Sequence, residues 1–461
     1  MRAHEAGALH GDLGNSGPPW LRTPGDVNDL VARLWPGNVA RAADGALAVA
    51  GLGVREIAAE FGTPVYVLDE DDLRSRCRDF RAAFPTEDVY YAGKAFLCRA
   101  VVRMIAEEGL FLDVCTGGEL ATALAAGMPA ERIGFHGNNK SVAELTRALD
   151  AGVGRIILDS FTEIDRLSAL ARERDVRPKV LIRVTVGVEA HTHEFIATAH
   201  EDQKFGFSLA GGAAIAAALR ILDEDVLELR GLHSHIGSQI FDTSGFEVSA
   251  RRVLALQAQI RDARGVELPE LDLGGGFGIA YTTQDDPSPP ADLAKRLRKI
   301  VDGECAAERL AVPHLSIEPG RAIVGPAVFT LYEVGTVKDV DGIRTYVSVD
   351  GGMSDNIRTA LYDASYSATL ASRASTAPPL LARVVGKHCE SGDIVVKDEF
   401  LPADVQPGDL VAVPGTGAYC RSMASNYNHV PRPPVVAVRD GRARLIVRRE
   451  TEEDLLALDV G

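Results

Sequence analysis

One pattern restricts the fold of this chain more than any other. From Val65 onward, short β-rich runs are separated by longer amphipathic stretches. The runs are Val89–Ala92, Phe111–Asp113, Ile133–His136, Arg155–Leu158, Val180–Val184, Leu229–His235, Leu271–Leu273 and Leu315–Ile317. The runs read as strands and the stretches between them as helices. Two helices open on a capping signature, Ser141-Val142-Ala143-Glu144 and Ser160-Phe161-Thr162-Glu163, of the Ser-x-x-Glu form that satisfies exposed N–H groups reciprocally. Strand–helix repetition with short links implies parallel strands and right-handed crossovers, and eight such units close into a (β/α)₈ barrel. A doubly wound open sheet obeys the same pattern. The carboxyl ends of the runs favour the barrel: they carry Lys94, Asp113, His136, Asp159, Arg183, His235, Gly274 to Gly276 and Glu318. A barrel gathers such residues on one face, where active sites are built, whereas an open sheet spreads them along an edge.

After about Gly325 the texture changes. Segments such as "VFTLYEVGTVKDV", "RTYVSVDGG", "LLARVVGKHC" and "DLVAVPGTGAY" are β-rich and punctuated by Gly, Asp and Pro, which reads as a second, all-β domain. Gly37 to Val67 has a similar character and can pack with it, making the barrel an insertion. The expected organisation is a mobile tail over residues 1–24, the first part of the β domain over 25–69, the barrel over 70–326 and the rest of the β domain over 327–461.

Charge narrows the function. A net charge of -16 and a pI near 5.2 argue against general affinity for nucleic acid or anionic membrane and leave small-molecule chemistry as the default. The six cysteines form no C-x-x-C pair, so free thiols in a reducing cytoplasm are expected. No apolar stretch reaches the ~18 residues of a membrane span, and the first thirty residues contain no signal-peptide core.

Several residues could carry chemistry. In "VYYAGKAF" an apolar strand runs into Lys94; a buried ammonium is costly unless paired or neutralised, so Lys94 either reaches water or serves a pocket that needs an amine. The glycines of "LDLGGGFG" suit a tight turn or close approach to a phosphate, but they lack the dinucleotide spacing. His233 and His235 in "GLHSHIGSQ" would face one side of a strand. A metal there needs a third ligand; His191 and His193 with Glu189 and Glu194 lie in a polar, loop-like segment, so no metal is expected. A ring lying over a flat ligand is the better role beside Gly237 and Ser238. In "SIEPGRAIVG", Glu318 and Arg321 either pair with each other or serve separate targets, a basic ring nitrogen and a carboxylate or phosphate. Cys389 stands beside Glu390 and Asp393 in "GKHCESGD", a setting in which a thiol can donate a proton. Arg358, Tyr362 and Tyr419 are unremarkable taken singly.

Taken together and in order, "YYAGKAF", "HSHIGSQ", "LDLGGGFG", "EPGRAIVG", "VDGGMSDNIR", "CESGD" and "GTGAY" resemble the alanine-racemase-type barrel enzymes that use pyridoxal phosphate. Among these group IV decarboxylases they are most similar to the diaminopimelate decarboxylase family. The resemblance implies that Lys94 forms the Schiff base with the cofactor and that His235 stacks on its ring. It implies a phosphate cradle of Ser238, Gly275, Gly276 and the backbone from Glu318 through Pro319 and Gly320 to Arg321, with a hydroxyl from Tyr419. Glu318 matches the acid facing the pyridine nitrogen, and Cys389 matches the proton donor, which in these homodimers comes from the partner subunit. Glu390 matches the residue for the distal ammonium of meso-diaminopimelate; Arg321, Arg358, Tyr362 and Tyr419 match those that complete the substrate site.

The implied reaction is decarboxylation of meso-2,6-diaminopimelate to L-lysine. The alternatives are an ornithine- or arginine-type decarboxylase of the same fold, where the segment after the cysteine typically reads C-D-x-x-D, and a non-catalytic homologue, which tends to lose the lysine or the cysteine. Both are present here. A racemase has no place for "CESGD".

Overall fold

A computed structural model of the chain describes residues 17–187 and 203–461. These residues divide into two compact units. One comprises residues 74–278 and 287–323, and the other comprises the chain up to residue 73 with 279–286 and 324–461.

The first unit is built on eight parallel strands: β1 (Asp88–Ala92), β2 (Phe111–Val114), β3 (Ile133–Phe135), β4 (Arg155–Leu158), β5 (Lys179–Thr185), β6 (Glu228–His233), β7 (Glu270–Asp272) and β8 (His314–Ile317). Each pairs with the next, and β8 returns to β1 through Ser316–Asp88 and Ile317–Val89. The ring is closed, so the open-sheet alternative is excluded. A two-residue strand, Phe207–Ser208, adds to β5.

The strand ends depart from expectation where polar residues begin. β6 stops at His233, and Ser234 still donates to the Asp272 carbonyl before the chain turns through Gly237 at φ 140°. His235 therefore lies past the strand, and the alternation argument that put it on one strand face with His233 fails. His136 likewise stands one residue beyond β3. Lys94 sits in the turn after β1, exposed.

Both helix-start signals are used, in different ways. Ser141 and Glu144 form a reciprocal capping box. Ser160 accepts from Glu163 N–H, but the Glu163 carboxylate turns away to the Asp159 N–H at 2.9 Å and Lys140 Nζ at 2.6 Å. Lys140 is buried, and a buried ammonium needs a counter-charge more than the helix needs a second cap.

In the second unit the main sheet runs in the order Ile394–Pro402, Pro379–Val385, Arg344–Val349, Val328–Val340, Val65–Asp69, Val435–Arg439, Arg442–Val447. The N-terminal strand Val65–Asp69 is buried throughout, antiparallel to Val328–Val340 and parallel to Val435–Arg439. Around it pack Trp35, Leu47, Ile57, Phe329, Leu331 and Val436. The unit is mostly sheet but not all-β: Val54–Phe61 is a helix whose Val54 and Ile57 are buried, a three-residue spacing hidden inside a segment otherwise rich in β-formers. Among the described residues, no helix is long and apolar enough to cross a membrane.

Candidate active site

The carboxyl ends of the barrel strands bring ionisable groups together in the barrel interior. Glu318 follows β8 directly and is buried. Its Oε1 lies 2.9 Å from His136 Nε2 and 3.3 Å from His233 Nε2. His136 Nε2 is also 3.7 Å from Asp113 Oδ1, and the two imidazoles meet edge to face with centroids 4.9 Å apart. These are ion-pair distances without well-aligned hydrogen bonds: Glu318 Oε1 and both His233 ring nitrogens remain unsatisfied.

Burial alone would raise the Glu318 carboxyl, but His136 and His233 outweigh it and hold the group well below the usual carboxylate range. Burial works against charge on His136 too, yet Asp113 and Glu318 overcome it and raise its pKa. His233 gains less from Glu318 than burial takes away and falls to about 4. Burial lifts Asp113 to about 6 and pushes Asp272 well above its ordinary value. The donor atoms of His136, His233 and Glu318 lie within 4.8 Å of one another, but the His136 imidazolium already balances the Glu318 charge. The sequence had paired His233 with His235; space pairs it with His136.

Above this group stand the loops. His235 is half-buried, and its Nδ1 accepts from Gly275 N–H at 3.3 Å. Burial, then the charges of Lys94 and Arg183, hold its pKa well below the usual value, so the ring is neutral and flat. Gly274 donates to Asp272 Oδ1 at 2.8 Å, and the Gly276 carbonyl accepts from Ile240 N–H at 2.9 Å. The glycines are required. A Cβ on Gly275 would lie 2.2 Å from the Glu318 carbonyl oxygen, and one on Gly276, at φ +104°, would lie 2.4 Å from the Gly237 carbonyl oxygen. Arg321 is buried, with one guanidinium nitrogen donating to Ser238 Oγ at 2.8 Å, and the Pro319 carbonyl accepts from Ala92 N–H. Lys94 is close enough to bias Asp113, Cys115 and His235. One barrel face thus collects Lys94, His235, Ser238, Gly275, Gly276 and Glu318 to Arg321.

The remaining expected residues belong to the second unit. Cys389 and Glu390 are exposed on the loop between strands Pro379–Val385 and Ile394–Pro402. Asp393 anchors that loop, accepting from Met353 N–H at 2.6 Å and His388 N–H at 2.7 Å. The His388 ring bridges Ser354 Oγ at 2.8 Å and Asn428 Oδ1 at 3.1 Å. Arg358 opens a short helix ending at Tyr362, which is half-buried. Arg358 itself is buried, donates to the Tyr366 hydroxyl at 2.5 Å and stands 4.8 Å over the Tyr281 ring; sequence reasoning missed both tyrosines, which carry no motif of their own. Tyr419 is half-buried at φ +62°, a conformation that costs a non-glycine residue about 1–2 kcal/mol. His191 and His193, with Glu189 and Glu194, lie outside the described residues.

Comparison with known proteins agrees with this geometry. Residues 70–325 match the family model described as pyridoxal-dependent decarboxylase, pyridoxal binding domain. The chain is 60% identical over 443 residues to a diaminopimelate decarboxylase of Mycobacterium bovis, covering 94% of this chain and 98% of that protein. It is 57% identical to one from Mycobacterium leprae over the full length of both. Among solved structures, the diaminopimelate decarboxylase of M. jannaschii in complex with L-lysine superimposes with a TM-score of 0.86 at 31% identity, over 92% of this chain and 98% of that one. A lysine/ornithine decarboxylase of Vibrio vulnificus complexed with putrescine reaches 0.70 at 25% identity, over 84% and 97%. The chain belongs to the pyridoxal-dependent decarboxylases, within the diaminopimelate decarboxylase family.

Proposed function

We propose that this chain decarboxylates meso-2,6-diaminopimelate to L-lysine and carbon dioxide, the last step of lysine biosynthesis, with pyridoxal phosphate as cofactor. The observation that carries this reading is the full-length identity of 57% to a diaminopimelate decarboxylase. The residues present fit the cofactor. Lys94 supplies an amine, neutral His235 a flat face, the Gly275–Gly276 loop a surface that no Cβ crowds, and Glu318 a buried carboxylate held ionised.

When bound, pyridoxal phosphate supplies an electron sink for the pair left on the α-carbon as carbon dioxide departs. Glu318, held ionised, would keep a proton on the cofactor's ring nitrogen. Ser238, Gly275, Gly276, the backbone from Glu318 to Arg321 and the Tyr419 hydroxyl would hold the phosphate. Arg321, Arg358, Tyr362 and Tyr419 engage the substrate, with Glu390 taking its distal ammonium. Lys94 would hold the cofactor through its side-chain amine and would supply the amine needed for product release. Cys389 returns a proton to the α-carbon that has lost its carboxylate. On this reading the enzyme is a cytoplasmic homodimer in which Cys389 serves the site of the other subunit, and the cofactor-binding body runs over residues 70–326.

The test is carbon dioxide release from meso-diaminopimelate beside L-ornithine and L-arginine, with pyridoxal phosphate added. A site built to pair a distal carboxylate should reject substrates that lack one by ~10³-fold or more in kcat/KM. Comparable turnover of ornithine would overturn the assignment. Gly275→Ala should lower turnover by ~10²-fold, since its methyl must displace the backbone at Glu318 and small misplacements cost that much. Steady-state kinetics at saturating cofactor checks this.

A further inference from the structure

A (β/α)₈ barrel is normally filled by layers of branched apolar side chains. Here its interior holds ionisable groups that the roles above do not use. Asp113 comes from β2, His136 from just past β3, His233 from the end of β6 and Asp272 from the end of β7; all are buried. Such groups are expensive unless each finds a partner. His136 and His233 converge on a single atom, Glu318 Oε1, at 2.9 and 3.3 Å.

We propose that His136 is a positioning residue for the decarboxylation: with His233 it holds Oε1 of Glu318, and so fixes the charge and direction of the carboxylate that faces the cofactor's ring nitrogen. The proposal rests on the assignment of Glu318 to that nitrogen. His136 Nε2 has two carboxylates within reach, Glu318 at 2.9 Å and Asp113 at 3.7 Å. Asp113, lifted by burial to about 6, is the weaker anion, so the imidazolium goes to Glu318. His233, pushed by burial to about 4, is neutral and offers only a dipole. The charges of Arg183, Asp272 and Lys94 also act on this group. Without His136, burial would drive the Glu318 carboxyl toward its protonated form. A neutral acid does not hold a proton on a ring nitrogen, and the electron sink weakens.

The test compares His136→Ala, His136→Gln, Glu318→Gln and the double variant His136→Ala/Glu318→Gln, each loaded with pyridoxal phosphate. The readouts are the ratio of visible to near-ultraviolet absorbance, cofactor affinity by spectral titration, kcat and KM. His136→Ala should lower kcat by ~10–100-fold, the usual effect of losing an outer-shell partner, leave KM within about threefold and lower the absorbance ratio. His136→Gln, whose amide can reach Oε1, should recover part of both. In the double variant the loss should equal that of Glu318→Gln alone, because the two residues act as one unit. Losses that multiply would overturn the proposal, as would a His136→Ala protein with wild-type ratio and kcat. A Glu318→Gln protein indistinguishable from wild type would overturn the Glu318 assignment and the clamp with it; an impaired Glu318→Gln beside an intact His136→Ala overturns the clamp alone. Should His136→Ala fail to fold, His136→Asn, which keeps a donor but falls short of Oε1, takes its place with the same expectations.

Discussion

Replacing Lys94 by alanine is expected to abolish the visible absorbance that pyridoxal phosphate gives the purified protein and to lower turnover by more than ~10³-fold. Lys94 stands exposed in the turn after β1, so truncating it should shift stability by no more than about 0.5 kcal/mol. A structural role therefore predicts a nearly silent substitution. A cofactor-binding role predicts a large effect with an unchanged melting temperature, because the lost amine is both the covalent anchor and a proton-carrying group. Its position supports the second outcome: its charge reaches Asp113 and His235, on opposite sides of the barrel face. Absorbance spectra and melting curves of the two proteins decide the matter. A variant with the wild-type visible band would refute the cofactor role of Lys94.

What could be read from the sequence is what depends on local pattern. The eight strands were legible because each is a short run of apolar β-formers separated from the next by a longer amphipathic stretch, and the residues at their ends followed from the barrel's geometry. The pairings inside the barrel were not. His136 and Glu318 are 182 positions apart and meet only because β3 and β8 belong to one closed ring. The Ser160–Glu163 signal was right about the helix and wrong about the glutamate, since buried Lys140 is a stronger claimant. His235 was placed on a strand because alternation cannot say where a strand stops; β6 stops two residues earlier, at His233. Arg358 was visible as a charge, but its aromatic neighbours Tyr281 and Tyr366 come from either side of it in sequence, with no motif to connect them.

Cys389→Ala should separate cofactor binding from chemistry. The variant is expected to keep the visible absorbance of the wild type and lose ~10²–10⁴-fold in turnover, the range typical of a positioned proton donor. The loop that presents Cys389 is held from beneath. Asp393 ties it to the Met353 and His388 N–H groups, Gly386 N–H donates back to the Asp393 carbonyl, and the His388 ring is fixed between Ser354 and Asn428. Cys389 itself is exposed, so its removal leaves that scaffold intact and the melting temperature should not move. Asp393→Ala gives the contrast: it strands buried N–H groups at about 1–3 kcal/mol each, so it should lower both the melting temperature and turnover. Cys389→Ser sharpens the assignment, since a hydroxyl is far less acidic than a thiol and should restore little of the lost rate despite its similar shape. Stopped-flow and steady-state rates beside absorbance spectra test all three variants. Full activity in Cys389→Ala would remove the donor role, and a rate restored by serine would show that shape, not acidity, is what the position supplies.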